Sequence, residues 1–240
     1  MKFDAWVISD KGRKRETNQD STLINAELGV FIVADGMGGH SGGEVASSMA
    51  VKAAESVFKD PECLDRSPRE AIAKAYEEAS HSIFDKAAKE NPELSGMGTT
   101  MVLCYLRKNY IYIGNVGDSR CYLFKKPYLW QLTEDHSLIN EQIRAGVLTE
   151  QQASQIIARN VITRSVGYER DIEADIFERE IFSGETYLLC SDGLSSLVPD
   201  DKISEILSNS NPEIALKNCV EQALINGGDD NVSVLILHFE

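Results

Sequence analysis

No two of the five cysteines, Cys63, Cys104, Cys121, Cys190 and Cys219, are spaced as Cys-x-x-Cys. That absence argues against a zinc ribbon and against a dithiol redox motif. Their number is odd and three lie in apolar runs, where a free cysteine behaves as a small core residue. A reducing compartment is expected. No apolar segment approaches the length of a membrane span, and the apolar stretch within MKFDAWVISD is far too short for a secretory signal. The expectation is a cytoplasmic chain with no membrane attachment. Positive charge is scarce. Against 38 Asp and Glu stand 24 Lys and Arg, a formal net charge of −14, which argues against a nucleic-acid partner. No repeat or low-complexity linker divides the 240 residues, and a chain of this length buries a substantial core without disulfide or metal staples. One domain over residues 1–240 is expected.

What is present reads as mixed structure. Residues Phe3–Ser9, Ser21–Asn25, Val30–Ala34, Thr99–Leu106, Tyr110–Ile113, Cys121–Phe124, Thr186–Cys190 and Asn231–Phe239 are rich in β-branched and aromatic side chains and bounded by Gly, Asn or Asp, the mark of strands. Ser67-Pro68-Arg69-Glu70 forms a capping box, followed by apolar residues at Ile72, Ala75, Tyr76, Ala79, Ile83 and Ala87, the spacing of one helical face. Asn211-Pro212 opens another helix that closes at Gly227-Gly228. Further helices are expected over Glu44–Phe58 and Asp200–Leu207, with a short one at Thr149–Gln152. Strict βαβ alternation is missing, so the fold class is α+β with largely antiparallel sheet.

The informative pattern lies in the carboxylates. VFIVAD ends at Asp35, YLLCSD at Asp192 and IYIGNVGD at Asp118, while Asp20 and Asp230 stand just ahead of STLIN and VSVLIL. A lone Asp-Gly after a strand is ordinarily a turn. If five such ends meet, the like charges repel strongly unless cations neutralise them. Oxygen-only ligands favour Mg²⁺ or Mn²⁺ over zinc. The loop DGMGGHSGG places five glycines in nine residues, which lets backbone approach an ion or a phosphate closely. It is neither a dinucleotide fingerprint, because Ser41 stands where the third glycine belongs, nor a P-loop, because it holds no lysine. EF-hand spacing is absent as well. Lys11, Arg13, Lys14 and Arg15 precede Asp20 and read either as a solvated turn or as a phosphate clamp.

Seven segments in order carry a resemblance. They are GRKRETNQD, VADGMGGH, the GTT of Gly98–Thr100, GNVGDSR ending at Arg120, LTEDHS over Leu132–Ser137, CSDGL over Cys190–Leu194, and GGDDNVSVLIL. Together they resemble the type-2C metal-dependent protein serine/threonine phosphatase family in its compact bacterial form. The resemblance implies a four-layer α-β-β-α sandwich, two central antiparallel sheets flanked by helices. It implies two Mn²⁺ or Mg²⁺ ions and a weaker third. In that scheme Asp35 bridges two ions and the Gly36 carbonyl serves one. Asp192 and Asp230 serve the other, Asp118 serves the third, and Asp20 acts mainly through water. Arg15 is similar to the arginine that holds the substrate phosphate, and His40 to a proton donor for the leaving group. A hydroxide held between the ions then attacks the phosphoester in line. Two departures stand out: Gln19 replaces a glutamate common in the family, and His40 ends its loop instead of following Asp-Gly. The polar segment Ser137–Gly167 corresponds to a flap beside the site, where Arg144, Arg159 and Arg164 are candidates for contact with phosphoprotein. A cognate serine/threonine kinase and a monomeric state are implied as well.

Two other readings compete. Cys63 and Arg69 have the Cys-x5-Arg spacing of cysteine phosphatases, but the intervening LDRSP lacks cradling glycines and Arg69 belongs to the capping box. A catalytically inactive fold that senses metal or phosphoprotein is the other, and retention of every matched aspartate argues against it.

Overall fold

The computed structural model describes residues 2–38, 42–89, 94–153 and 161–240. The chain opens with three strands, β1 (Phe3–Asp10), β2 (Asp20–Asn25) and β3 (Val30–Met37), then helices α1 (Gly42–Lys59), α2 (Pro61–Asp65) and α3 (Pro68–Lys89). Five strands follow: β4 (Gly98–Thr99), β5 (Met101–Arg107), β6 (Tyr110–Val116), β7 (Arg120–Lys125) and β8 (Tyr128–Gln131). The short helices α4 (Leu138–Arg144) and α5 (Glu150–Ala153) lead to β9 (Asp175–Glu180) and β10 (Thr186–Cys190). Helices α6 (Asp192–Ser195), α7 (Asp200–Asn209) and α8 (Pro212–Ile225) precede the last strand, β11 (Val232–Phe239).

One sheet runs β1-β11-β10-β7-β8 and the other β2-β3-β5-β6-β9, with β4 paired to β3, and every pairing between these strands is antiparallel. Three apolar clusters match the three interfaces of a four-layer stack. Ala46, Ala50, Ile72, Tyr76 and Ile83 pack α1 and α3 on the second sheet. Phe31, Val33, Cys104, Cys121, Leu189 and Leu235 fill the space between the sheets. Leu194, Ile203, Leu216 and Cys219 close α6, α7 and α8 onto the first sheet. The expected α-β-β-α sandwich is therefore what the chain forms. Central strands covered on both faces read as unbroken apolar runs, as in β3, β5, β10 and β11.

Local signals behave as expected at the helix ends. The Ser67 amide donates to Glu70 Oε2 at 2.9 Å and the Glu70 amide to Ser67 Oγ at 3.3 Å, completing the capping box. Asn211 caps α8 by accepting from the Ile214 amide at 2.9 Å. Two strands differ from expectation. Strand β3 runs past Asp35, because Gly36 and Met37 pair with Thr99 and Gly98. The stretch expected as one strand over Thr99–Leu106 breaks at Thr100, whose amide turns to the Asp35 carbonyl at 2.8 Å. All five cysteines are buried and free. No helix among the described residues is long and apolar enough to cross a membrane.

Close packing of α3 on the second sheet depends on Gly114 in β6. A Cβ there would stand 2.7 Å from both Ile72 Cγ2 and Tyr76 Cε2. Gly114→Ala is predicted to cost about 1–3 kcal/mol through overpacking, read as a lower midpoint in urea unfolding; an unchanged midpoint would show that α3 gives way freely.

Candidate metal centre

The five sequence-predicted aspartates come to one end of the sandwich, from both sheets. Asp35 lies near the end of β3, and Asp20, first residue of β2, is its register partner. Asp118 sits in the turn from β6 to β7, Asp192 begins α6, and Asp230 stands two residues ahead of β11. Asp35, Asp118, Asp192 and Asp230 line one cleft of about 240 Å³, together with Arg15 and Gly36. Asp20 is buried outside that lining, where its Oδ2 accepts from Ser191 Oγ at 2.8 Å.

Several anchors fix this arrangement. The Asp35 amide donates to Thr100 Oγ1 at 3.0 Å, and Thr99 Oγ1 donates to the Asp35 carbonyl at 2.8 Å. Thr100 Oγ1 also lies 2.7 Å from Ser119 Oγ, tying β3 to the Asp118 turn. That turn requires glycine at its start: Gly117 has φ +102° and its missing Cβ would lie 2.5 Å from Thr100 Cγ2. Gly36 is a second forced glycine. A Cβ there would fall 1.9 Å from the Gly43 carbonyl oxygen at the start of α1. Arg120, next to the turn, holds Asp135 bidentately, Nε to Oδ1 at 2.9 Å and Nη2 to Oδ2 at 2.7 Å.

The electrostatics are those of a site built for cations. Burial, then Asp20, Asp192, Asp230 and Asp118 in turn, hold the Asp35 carboxyl well above the usual carboxylate range. Asp35 keeps an open face on the cleft, yet protein closes round it at longer range, so it loses bulk solvent without losing access. Burial foremost pushes Asp20 up to about 6 and Asp118 to about 7, the second with help from Asp192 and Asp135. Asp192 is raised by burial and by Asp230, and its carboxyl is within hydrogen-bonding reach of Asp35. Asp20 Oδ1 and Asp192 Oδ1 are buried with no hydrogen-bond partner. Orphaned carboxylate oxygens beside mutually repelling carboxylates are the arrangement a divalent cation satisfies.

Among the described residues, no three His, Cys, Asp or Glu side chains close round a single point. Hard ions do not require such a cage, because Mg²⁺ keeps several waters and takes one or two carboxylates. Arg15 also competes, since its Nη2 lies 2.7 Å from Asp230 Oδ2. The carboxylates that line the cleft, with their unpartnered oxygens, therefore fit a hard divalent ion such as Mg²⁺ or Mn²⁺.

The family model of protein phosphatase 2C matches residues 11–224. The chain belongs to the protein phosphatase 2C family. The serine/threonine phosphatase stp of Listeria monocytogenes is 36% identical to this 2C-type chain over 235 residues, 95% of this chain and 93% of that one. The crystal structure of the Mycobacterium tuberculosis serine/threonine phosphatase PstP/Ppp superposes with a TM-score of 0.92 at 32% identity, covering 99% of each chain. The catalytic domain of PstP, solved with two manganese ions, superposes at 0.87 with 32% identity, covering 98% of this chain and 97% of that one.

Other expected residues of the 2C-type site fall as follows. His40 and Arg159 lie outside the described residues. Of the basic cluster, Arg15 reaches the cleft and Lys14 pairs with Asp229 at 2.7 Å. Within the segment expected as a flap, Ser137 and Ile162 form an antiparallel bridge, and Ile162 lines the cleft. Arg144 pairs with Glu134 at 3.1 Å and stays largely exposed, and Arg164 pairs with Asp175 at 2.9 Å. Cys63 is buried in α2, and burial pushes its thiol up, away from nucleophilic character. The sequence reading gave no role to Thr100, Ser191 or Asn231. Their signal was present only as polar residues placed at the ends of apolar runs; the groups they bond lie far away in sequence.

The raised carboxyls set a pH dependence. Each binds its proton more tightly folded than unfolded, so its contribution to stability falls as pH rises from about 3.8 towards 7. In metal-free protein, Asp118→Asn is predicted to raise the Tm at pH 8 and to change it little at pH 4. A lower Tm at pH 8 would mean that Asp118 is not repelled by its neighbours.

Proposed function

We propose that this chain is a Mn²⁺- or Mg²⁺-dependent protein serine/threonine phosphatase, hydrolysing phosphoserine and phosphothreonine on proteins. The carrying observation is the convergence of four aspartates from separate strands and turns on one cleft, beside an arginine. Two bound divalent ions supply Lewis acidity there, which lowers the pKa of water and offsets charge on phosphoryl oxygens.

The chain's own residues do the rest. Asp35, Asp192, Asp230 and the Gly36 carbonyl hold the cations, and Asp20 supports the site from behind Asp35. Asp118 with Asp192 offers a weaker third position. Arg15, exposed and already aimed at Asp230, offers its fork of N–H donors to phosphate oxygens, fixing the ester for in-line attack. The hydrogen bond to Asp230 keeps its guanidinium firmly protonated. His40 is assigned to protonating the leaving alkoxide on the resemblance alone. Buried, inert thiols support a reducing cytoplasm, and the bacterial relatives support a serine/threonine kinase as the opposing partner. We take the chain to act as one catalytic unit and as a monomer.

Phosphate release from a phosphothreonine peptide is predicted with Mn²⁺ or Mg²⁺, to vanish in EDTA and to survive thiol blockers; turnover in EDTA would overturn the reading. Asp35→Asn, Asp192→Asn and Asp230→Asn are each predicted to lower kcat/KM by about 10³-fold or more. Arg15→Ala is predicted to act chiefly on KM, and an unchanged KM would remove the clamp. His40→Ala should cost more on phosphoserine than on p-nitrophenyl phosphate, whose leaving group needs little protonation, and equal losses would remove His40 from the acid role.

A further inference from the structure

Arg15 sits in a loop that has little of its own to hold it. Between the end of β1 at Asp10 and the start of β2 at Asp20, residues Arg13 to Thr17 are exposed, so the loop's shape depends on a few fixed points. Two come from the turn ahead of β11: the Arg13 and Lys14 amides both donate to the Gly228 carbonyl, at 2.8 and 3.3 Å. Others lie at its two ends, where the Gly12 amide donates to Asp10 Oδ1 at 2.7 Å and Asn18 Nδ2 to Ser9 Oγ at 2.8 Å, and three more converge on a single side chain.

That side chain is Asn231, only 3% exposed. Its Nδ2 donates to the Lys11 carbonyl at 2.8 Å and to the Thr17 carbonyl at 2.9 Å. Its Oδ1 accepts from the Gln19 amide at 2.8 Å. Both donors and one acceptor direction of the carboxamide are thus spent on one loop, closing it on either side of Arg15. The Gln19 carbonyl in turn accepts from the Gly36 amide at 3.1 Å and Ser47 Oγ at 2.6 Å. Asn231 therefore joins the arginine loop to the Gly36 turn and α1. Its own backbone is pinned as well, because a Cβ on Gly193 would meet the Asn231 carbonyl at 1.9 Å. An exposed arginine held at both flanks loses less freedom when it takes up a phosphate.

We propose that Asn231 is a positioning residue for substrate: its carboxamide latches the Lys11–Gln19 loop so that Arg15 presents its guanidinium to the phosphate monoester. This rests on Arg15 being the phosphate clamp. In this scheme the Asn231 carboxamide acts through the Arg15 loop; its backbone amide separately donates to Asp230 Oδ1 at 2.8 Å, a contact that neither side-chain substitution below removes.

The test is a double-mutant cycle in the full chain with saturating Mn²⁺, read on a phosphothreonine peptide. Asn231→Ala is expected to raise KM about tenfold, with kcat changed less than about threefold. On an Arg15→Ala background the same change should leave KM where Arg15→Ala alone puts it. Calorimetry should find Mn²⁺ binding by Asn231→Ala close to wild type. Asn231→Asp keeps the bond from Gln19 and sets an anion against two carbonyls. It should show the same dependence on Arg15 and so decides the matter if the alanine variant fails to fold. Additive KM effects in the cycle, a fall in kcat at constant KM, or a loss of Mn²⁺ affinity matching the loss of activity would overturn the latch. So would failure of both variants to fold, which would assign Asn231 to stability alone. If Arg15→Ala itself leaves KM unchanged, the clamp falls first, an outcome separate from one in which Arg15 matters and Asn231 does not.

Discussion

Mutual repulsion among buried carboxylates is the constraint on which the functional end of this molecule depends. Asp35 is held above its ordinary range by burial and by four other aspartates. Its neighbours are only partly compensated, since Asp20 Oδ1 and Asp192 Oδ1 are buried without partners. Such a cluster persists only if the surrounding scaffold is rigid enough to impose it. The scaffold here is a double sheet whose central strands are buried on both faces, clamped between helix layers. Stability is spent in the layers, and the repulsion is stored at one end until divalent ions relieve it.

The backbone detail follows from that constraint. The carboxylates sit at or near strand ends, and Asp35, Asp118, Asp192 and Asp230 reach the cleft from there. Glycine stands next to three of them: Gly36 under the start of α1, Gly117 against Thr100, and Gly193 over Asn231. Any larger residue would push the segments apart. Small hydroxyls and one amide then supply the local hydrogen bonds: Thr100 to Asp35, Ser191 to Asp20, and Asn231 to the loop of Arg15. Among the described residues Arg15 is the one cation of the cleft lining, where it contacts Asp230.

Much of this was legible in the sequence because its signals are local. The doubly buried strands β3, β5, β10 and β11 are apolar runs, and the helices α3 and α8 carry their caps in the chain. The aspartates announced themselves by standing at strand ends. The four-layer order was not local information; it came with the family resemblance. Strand β8 was missed because it is only four residues long at a sheet edge, and β9 because Asp175, Glu178 and Glu180 dilute its pattern. Helix α6 read as a turn, being only four residues long. The anchoring roles of Asn231 and Ser191 were hidden for another reason: their partners lie 212 and 171 positions away.

The most direct measurement is calorimetric titration of the metal-free protein with Mn²⁺ near pH 7, in two buffers of different ionisation enthalpy. Carboxyls held partly protonated by their neighbours must release protons as ions enter. The account predicts at least two ions bound per chain, with net proton release, and loss of the tighter binding in Asp35→Asn. Binding of a single ion without proton release, or unaltered binding by Asp35→Asn, would contradict it.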